Sequence, residues 1–270
     1  MELVKAIFLG VVQGLTEFLP VSSSGHLVLT SQLLDFREQG VIFDVCVHLG
    51  TLLSVCIVFR RELFAMCCAP FQLAAGKRDE HIQHYFLWDV YVVIATLPAV
   101  IVGLFFKERI ELLFHSSLVV YVMLAVTGTI MITARYLPQR NAGMNWYRAI
   151  LVGSAQAMAI LPGLSRSGST IFVGMAVGIA REEIARFSFI MSIPAILGAA
   201  VLQLGPLLQE SLPTGIMITF SAGALAAAMA GYLAIKLLLD VIRRNRLQWF
   251  GYYCLVLAVL GAFVHFFSGA

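Results

Sequence analysis

Six apolar stretches, each long enough to cross a bilayer as a helix, confine this chain to a membrane. They run near residues 41–59, 85–106, 112–134, 187–209, 215–235 and 247–267, and a crossing needs about 20 residues of helix. Charge is too scarce for any alternative: 12% of the 270 residues are charged, against roughly 25% in a soluble domain. So few charges cannot coat a water-facing globule of this size. A removable leader is not expected, because Glu17 interrupts the first apolar run and small-residue cleavage chemistry is missing. Cys46, Cys56, Cys67, Cys68 and Cys254 have no Cys-x-x-Cys spacing and sit in or beside apolar runs. They read as small hydrophobes rather than ligands.

Two further apolar regions are broken. Region 1–34 is interrupted by Pro20-Val21-Ser22-Ser23-Ser24-Gly25-His26, and region 149–180 by Pro162-Gly163-Leu164-Ser165-Arg166-Ser167-Gly168-Ser169. A helix over 149–161 reaches only about 20 Å against a hydrocarbon core of about 30 Å, and 27–34 reaches less. Both regions are therefore expected to be re-entrant helix–loop–helix hairpins. Irregular backbone at membrane depth is tolerated only where it is buried in protein or lines a wet cavity, so the breaks themselves point to a site.

The breaks also resemble each other. Gln13, Leu19-Pro20 and Ser22-Ser23-Ser24-Gly25 parallel Gln156, Leu161-Pro162 and Ser165-Arg166-Ser167-Gly168, and Phe43 and Leu49 fall opposite Phe187 and Ile193. The near-constant offset argues for a duplication, one half near 1–135 and the other near 136–270. Each half is then a hairpin plus three spans. Three is odd, so the second half starts on the opposite side. The predicted fold is an all-α integral membrane protein with an inverted-topology repeat, a plan in which broken helices meet at the midplane.

Positive charge agrees with that parity. The N-terminal side carries Lys5, Arg37, Lys107 and Arg109, the other side thirteen Lys and Arg from Arg60 to Arg246, and Arg166 sits on a hairpin tip. The positive-inside rule makes the richer side cytoplasmic. Both termini are then outside, the first hairpin enters from outside and the second from the cytoplasm. Pro98 and Pro194 are expected to kink spans, and the Gly/Ala-rich run 221–231 to pack helices closely.

Within this frame a few residues carry chemistry. Glu17 is read as the main acid far from any span end and Asp44 as the other, and an ionised group at such depth needs a partner. Gln13 lies four residues before Glu17 on the same helical face, so the two can offer oxygens to a hard divalent cation, Mg²⁺ or Ca²⁺. A purely structural carboxylate is the competing reading. His26 closes the first break, with a proton affinity suited to moving a proton to or from a phosphate ester. Arg166, between Ser165 and Ser167, is a natural phosphate fork; alternatively it pairs with Glu17 and ties the hairpins together. Ser22, Ser23, Ser24 and Gly25, with Ser165, Ser167 and Gly168, precede short helical arms, whose free N–H groups make an anion pocket. The same hydroxyls can simply be helix caps. Asp44 and His48 share a helical face toward that cavity, in a supporting role or as a simple intrahelical pair.

The segments Gln13–His26 and Pro162–Thr170 resemble the two signatures of the bacterial undecaprenyl-diphosphate phosphatases of the bacitracin-resistance type, in order and at the expected separation. Length and span pattern agree over the whole chain. The resemblance implies hydrolysis of undecaprenyl diphosphate to the monophosphate and inorganic phosphate, dependence on a divalent cation, and an inner-membrane location with the site facing outside. It places the family's acidic motif on Gln13 and Glu17, its functional serine on Ser23, its catalytic histidine on His26 and its phosphate-binding arginine on Arg166. Gln13 stands where some relatives carry Glu, which leaves Glu17 the principal ligand. The expected partners are a polyprenyl diphosphate and membrane lipid, not nucleic acid, and a homodimer is compatible with the reading. The rival from another class is a lipid flippase or secondary transporter, since broken helices in inverted repeats also build those. A vanadium-haloperoxidase-like phosphatase is disfavoured, because the second Arg and His it expects do not follow Ser24-Gly25-His26.

Overall fold

A computed structural model describes residues 1–34, 36, 40–114, 116–204 and 213–268. Arg37 and residues 205–209, the end of the expected fourth span, lie outside the described residues. Twelve α-helices and no strand are found among them. Six are long and apolar enough to cross a membrane: α3 (Val41–Val58), α5 (Glu80–Phe105), α7 (Ser117–Thr133), α10 (Arg181–Leu204), α11 (Thr214–Arg243) and α12 (Gln248–Ser268). These correspond to the six expected stretches. α10 and α11 extend beyond the apolar window to Arg181 and Arg243, because the helix continues where long arginine side chains can reach past the hydrocarbon. The most apolar windows of α5 and α12 are 17% buried, that of α10 56%. Thus α10 is an inner helix, while α5 and α12 turn most of their apolar surface to lipid.

The two broken regions are helix–break–helix units: α1 (Glu2–Phe18) with α2 (Ser23–Leu33), and α8 (Trp146–Met158) with α9 (Arg166–Ala176). α1 stops because Leu19 precedes proline and adopts φ −65°, ψ 142°, the extended conformation that a following proline imposes. In the second break Leu164 N–H donates to Leu161 O at 3.2 Å across Pro162-Gly163, with Gly163 at φ +91°. Proline then glycine at the two central positions is the pattern of a type II turn. A Cβ on Gly163 would also overlap the Val120 carbonyl of α7. The arms begin earlier than expected, at Ser23 and Arg166. The serines and glycines that looked like loop form first helical turns, and Ser165 caps α9 by accepting from Gly168 N–H at 3.2 Å.

α4 (Arg60–Ala74) and α6 (Lys107–Phe114) complete the set. Neither was foreseen, since both are too short or too charged to register as spans. α4 packs on α5, and its Glu62 pairs with Arg186 of α10 at 3.6 Å.

Small residues set the packing. α1 lies on α11, where Gly10 meets the Gly223 carbonyl and Gly14 meets Ala227 and Gly231. α3 lies on the same helix, Gly50 against Ala224. α8 lies on α5, Gly153 against Ala95, and α7 lies on α12, Gly128 against Gly251. The expected close packing of run 221–231 is thus seen as contacts of α11 with both α1 and α3. Ser54 adds a polar tie, donating to Ala228 O at 2.8 Å. Ser54→Ala is expected to cost about 0.6 kcal/mol, the average for such bonds in membranes, read from thermal unfolding in detergent.

Candidate active site

The site is organised around one carboxylate. Glu17 is the penultimate residue of α1 and only 9% exposed. Its Oε1 accepts from Arg166 Nη2 of α9 at 2.7 Å. Its Oε2 accepts from Ser23 Oγ of α2 at 2.7 Å and from Gln13 Nε2 of α1 at 2.9 Å. His48 Nε2 of α3 stands 3.7 Å from the same oxygen. Four helices therefore converge on Glu17. The breaks touch directly as well, because a Cβ on Gly168 would lie 3.2 Å from Pro20 Cβ. Of the two readings of Arg166, the ion pair with Glu17 is present, yet its Nη1 is buried without a partner. One edge of the guanidinium thus joins α9 to α1, and the other edge makes no hydrogen bond.

His48 and Asp44 are joined through the backbone: His48 Nδ1 donates to Asp44 O at 2.7 Å, which aims Nε2 toward Glu17. Ser22 and Ser24 hydroxyls lie 3.4 Å apart, and those of Ser165 and Ser167 3.3 Å apart. Gly25 is buried against Val120, 3.4 Å from a would-be Cβ to Cγ1, so α7 backs both breaks. Thr127 of α7 fastens the second break, accepting from Ser165 N–H at 3.0 Å and donating to Gly163 O at 3.1 Å. Cys254 Sγ of α12 faces Pro20 O of the first at 3.7 Å. His26 is held differently. Its Nδ1 lies 2.8 Å from Ser22 O and its Nε2 2.7 Å from the hydroxyl of Tyr253 on α12. Among the described residues, no hydrogen bond joins it to Glu17 or Arg166.

Residues 6–260 match the family model described as Bacitracin resistance protein BacA. The chain belongs to the BacA family. It is 41% identical over 261 residues to an undecaprenyl-diphosphatase of Alkaliphilus metalliredigens, covering 92% of this chain and 94% of that protein. A protein of the same name from Methanobrevibacter smithii is 43% identical over 290 residues, covering 99% and 100%. One from Rubrobacter xylanophilus is 42% identical over 268 residues, covering 97% and 98%.

In this BacA-family chain Glu17 and Gln13 are the oxygen-bearing side chains that could hold a hard cation. Gln13 Oε1 is buried without a partner next to the carboxylate, an oxygen that such an ion would satisfy. No cluster of three or more His, Cys, Asp or Glu side chains is found among the described residues. Most of the coordination would then come from substrate phosphates and water, as is usual for Mg²⁺. Sequence reasoning missed Tyr253 and Thr127, which carry no local signal. It also passed over Asp89, an acid inside α5 whose Oδ2 is buried and unpartnered; its place in an apolar stretch was the available clue.

Proposed function

We propose that this BacA-family protein hydrolyses undecaprenyl diphosphate to undecaprenyl phosphate and inorganic phosphate, returning the carrier lipid to cell-wall synthesis. The carrying observation is the convergence of Glu17, Ser23 and Arg166 from two breaks that face each other in an apolar bundle. A flippase needs no hydroxyl held against a carboxylate beside a half-free guanidinium. The names of the relatives, undecaprenyl-diphosphatase, point to the same reaction.

Arg166 Nη1, with the N–H groups that open α2 and α9 and the hydroxyls of Ser22, Ser24, Ser165 and Ser167, receives the terminal phosphate. These donors are fixed before charge develops, which is what makes such groups effective in phosphoryl transfer. Ser23 either attacks phosphorus or orients the attacking water, its proton already directed at Glu17. His26 moves a proton at Nε2. Glu17 and Gln13 Oε1 would hold a divalent cation, Mg²⁺ or Ca²⁺, which supplies charge neutralisation to the phosphates when bound.

The same reading makes each half one hairpin plus three spans in inverted order, with the site facing outside and the Arg-rich side in the cytoplasm of a bacterial inner membrane. Three pairs of contacts support it. α1 on α11 matches α8 on α5, and α3 on α11 matches α10 on α5. The bond from Cys254 to Pro20 O matches that from Thr127 to Gly163 O.

The test is phosphate release from a prenyl diphosphate by purified protein in detergent, with and without chelator. Release that stops on chelation and returns with Mg²⁺ or Ca²⁺ supports the reading; no release with any cation favours a flippase. Ser23→Ala separates the chemical routes: loss of release together with loss of a trapped phosphoserine identifies Ser23 as nucleophile. Release near the wild-type rate assigns the attack to water.

A further inference from the structure

The hydrogen bonding of His26 defines a role for a residue that neither break contains. His26 lies in the first turn of α2, and its Nδ1 is 2.8 Å from the carbonyl oxygen of Ser22. A carbonyl only accepts, so Nδ1 carries the hydrogen. In the neutral ring the lone pair is then on Nε2, and the hydroxyl 2.7 Å away must donate to it. That hydroxyl belongs to Tyr253.

The contact is built into the fold. Ser22, which supplies the carbonyl, has φ +67° without being glycine, a conformation that persists only where the surroundings enforce it. The two rings are nearly parallel, 16° between planes and 5.6 Å between centroids. The neighbouring Cys254 is fully buried against Pro20 O, and Gly251, half a turn earlier, is wedged on α7. Helix packing thus brings the phenol to the first break.

We propose that Tyr253 holds His26 as the Nδ1–H tautomer and carries the proton to and from Nε2, the one exchanging atom of the ring. This rests on the phosphatase reading above. A phenol both donates and accepts, so the contact survives a full proton cycle. When Nε2 takes the phenolic hydrogen, Tyr253 Oη takes in its place the proton released by the attacking hydroxyl or water, and the new Nε2–H donates back to Oη. When His26 gives the proton up, the same exchange runs in reverse and the original bond reforms. Tyr253 ends each step with one hydrogen, as it began, and the imidazole never has to search for its orientation.

The test uses full-length protein in detergent, wild type and Tyr253→Phe, which keeps the ring and removes the hydroxyl. Two readouts are taken: steady-state phosphate release from a prenyl diphosphate, and 15N NMR of histidine-labelled protein, with His26→Asn identifying the signal. For Tyr253→Phe, kcat is expected to fall about tenfold, a fraction of what a general acid–base contributes, with KM within about twofold of wild type. In wild type, neutral His26 is expected as the Nδ1–H tautomer with a hydrogen-bonded Nε2, which moves to the free-imine position in Tyr253→Phe. An Nε2–H tautomer in wild type, an unmoved Nε2 signal, or an unchanged kcat overturns the proposal. If wild-type protein releases no phosphate, the phosphatase reading fails, while the tautomer measurement still decides the His26–Tyr253 assignment.

Discussion

Arg166→Met is expected both to cut phosphate release by roughly 10²–10³-fold and to weaken the fold, and a second substitution at Glu17 should repair only the fold. Arg166 and Glu17 pair at 2.7 Å with side chains 15% and 8% exposed. Removing one member of such a pair strands the other charge, at a cost of about 3–5 kcal/mol. In the function proposed above the activity loss has a separate origin, the buried and unpartnered Nη1 being the donor assigned to phosphate. Loss of one preorganised donor of this kind costs roughly 10²–10³-fold in rate. Glu17→Gln with Arg166→Met leaves two neutral groups and no stranded charge, so most of the lost stability should return while activity stays at least as low as in the single variant. Thermal unfolding in detergent and phosphate release measure the two effects independently. A single variant as stable as wild type would refute the buried pair. A double variant as unstable as the single one would show that its charges are not what matters.

The second large effect lies away from the chemistry. Gly153→Val is expected to leave little monodisperse protein, because a Cβ there meets the Ala95 carbonyl oxygen and, at 2.8 Å, its carbonyl carbon and Cα. Those are backbone atoms of α5 and cannot rotate aside. Overpacking against side chains costs about 1–3 kcal/mol, and a backbone obstacle that moves a whole helix should exceed that range. Gly10→Val, which meets the Gly223 carbonyl of α11, should behave alike. Gly103→Val is the control, since nothing lies within 4 Å of its Cβ position. Size-exclusion profiles and unfolding midpoints of the three variants check the prediction. A folded, active Gly153→Val would mean that α8 does not approach α5 this closely.

These two predictions also mark how far the sequence could be read. The spans were legible because an apolar run of bilayer length has few alternative uses, and the breaks because proline, glycine and serine interrupt such runs visibly. Gln13, Glu17, Arg166 and His48 could be gathered from helical spacing and from the need of a buried charge for a partner. The arms of the breaks were placed too late, the first at 27 and the second beyond Ser169, because a Ser/Gly run reads as loop although it forms the first turns from Ser23 and Arg166. Tyr253 was out of reach. It stands 227 residues from His26, and one more tyrosine in an apolar helix carries no sign of which side faces inward. Thr127 was invisible for the same reason, its role being fixed by tertiary contact alone.

Because side chains from four separate helices meet at one carboxylate, its contacts act as a gauge of the entire bundle. An ångström of drift in α1, α2, α3 or α9 opens at least one contact to Glu17. Substitutions remote from the reacting atoms, at the glycine seams, should therefore register kinetically before they register as unfolding. In a survey of variants, catalytic rate would be the more sensitive report of how well this membrane protein is assembled.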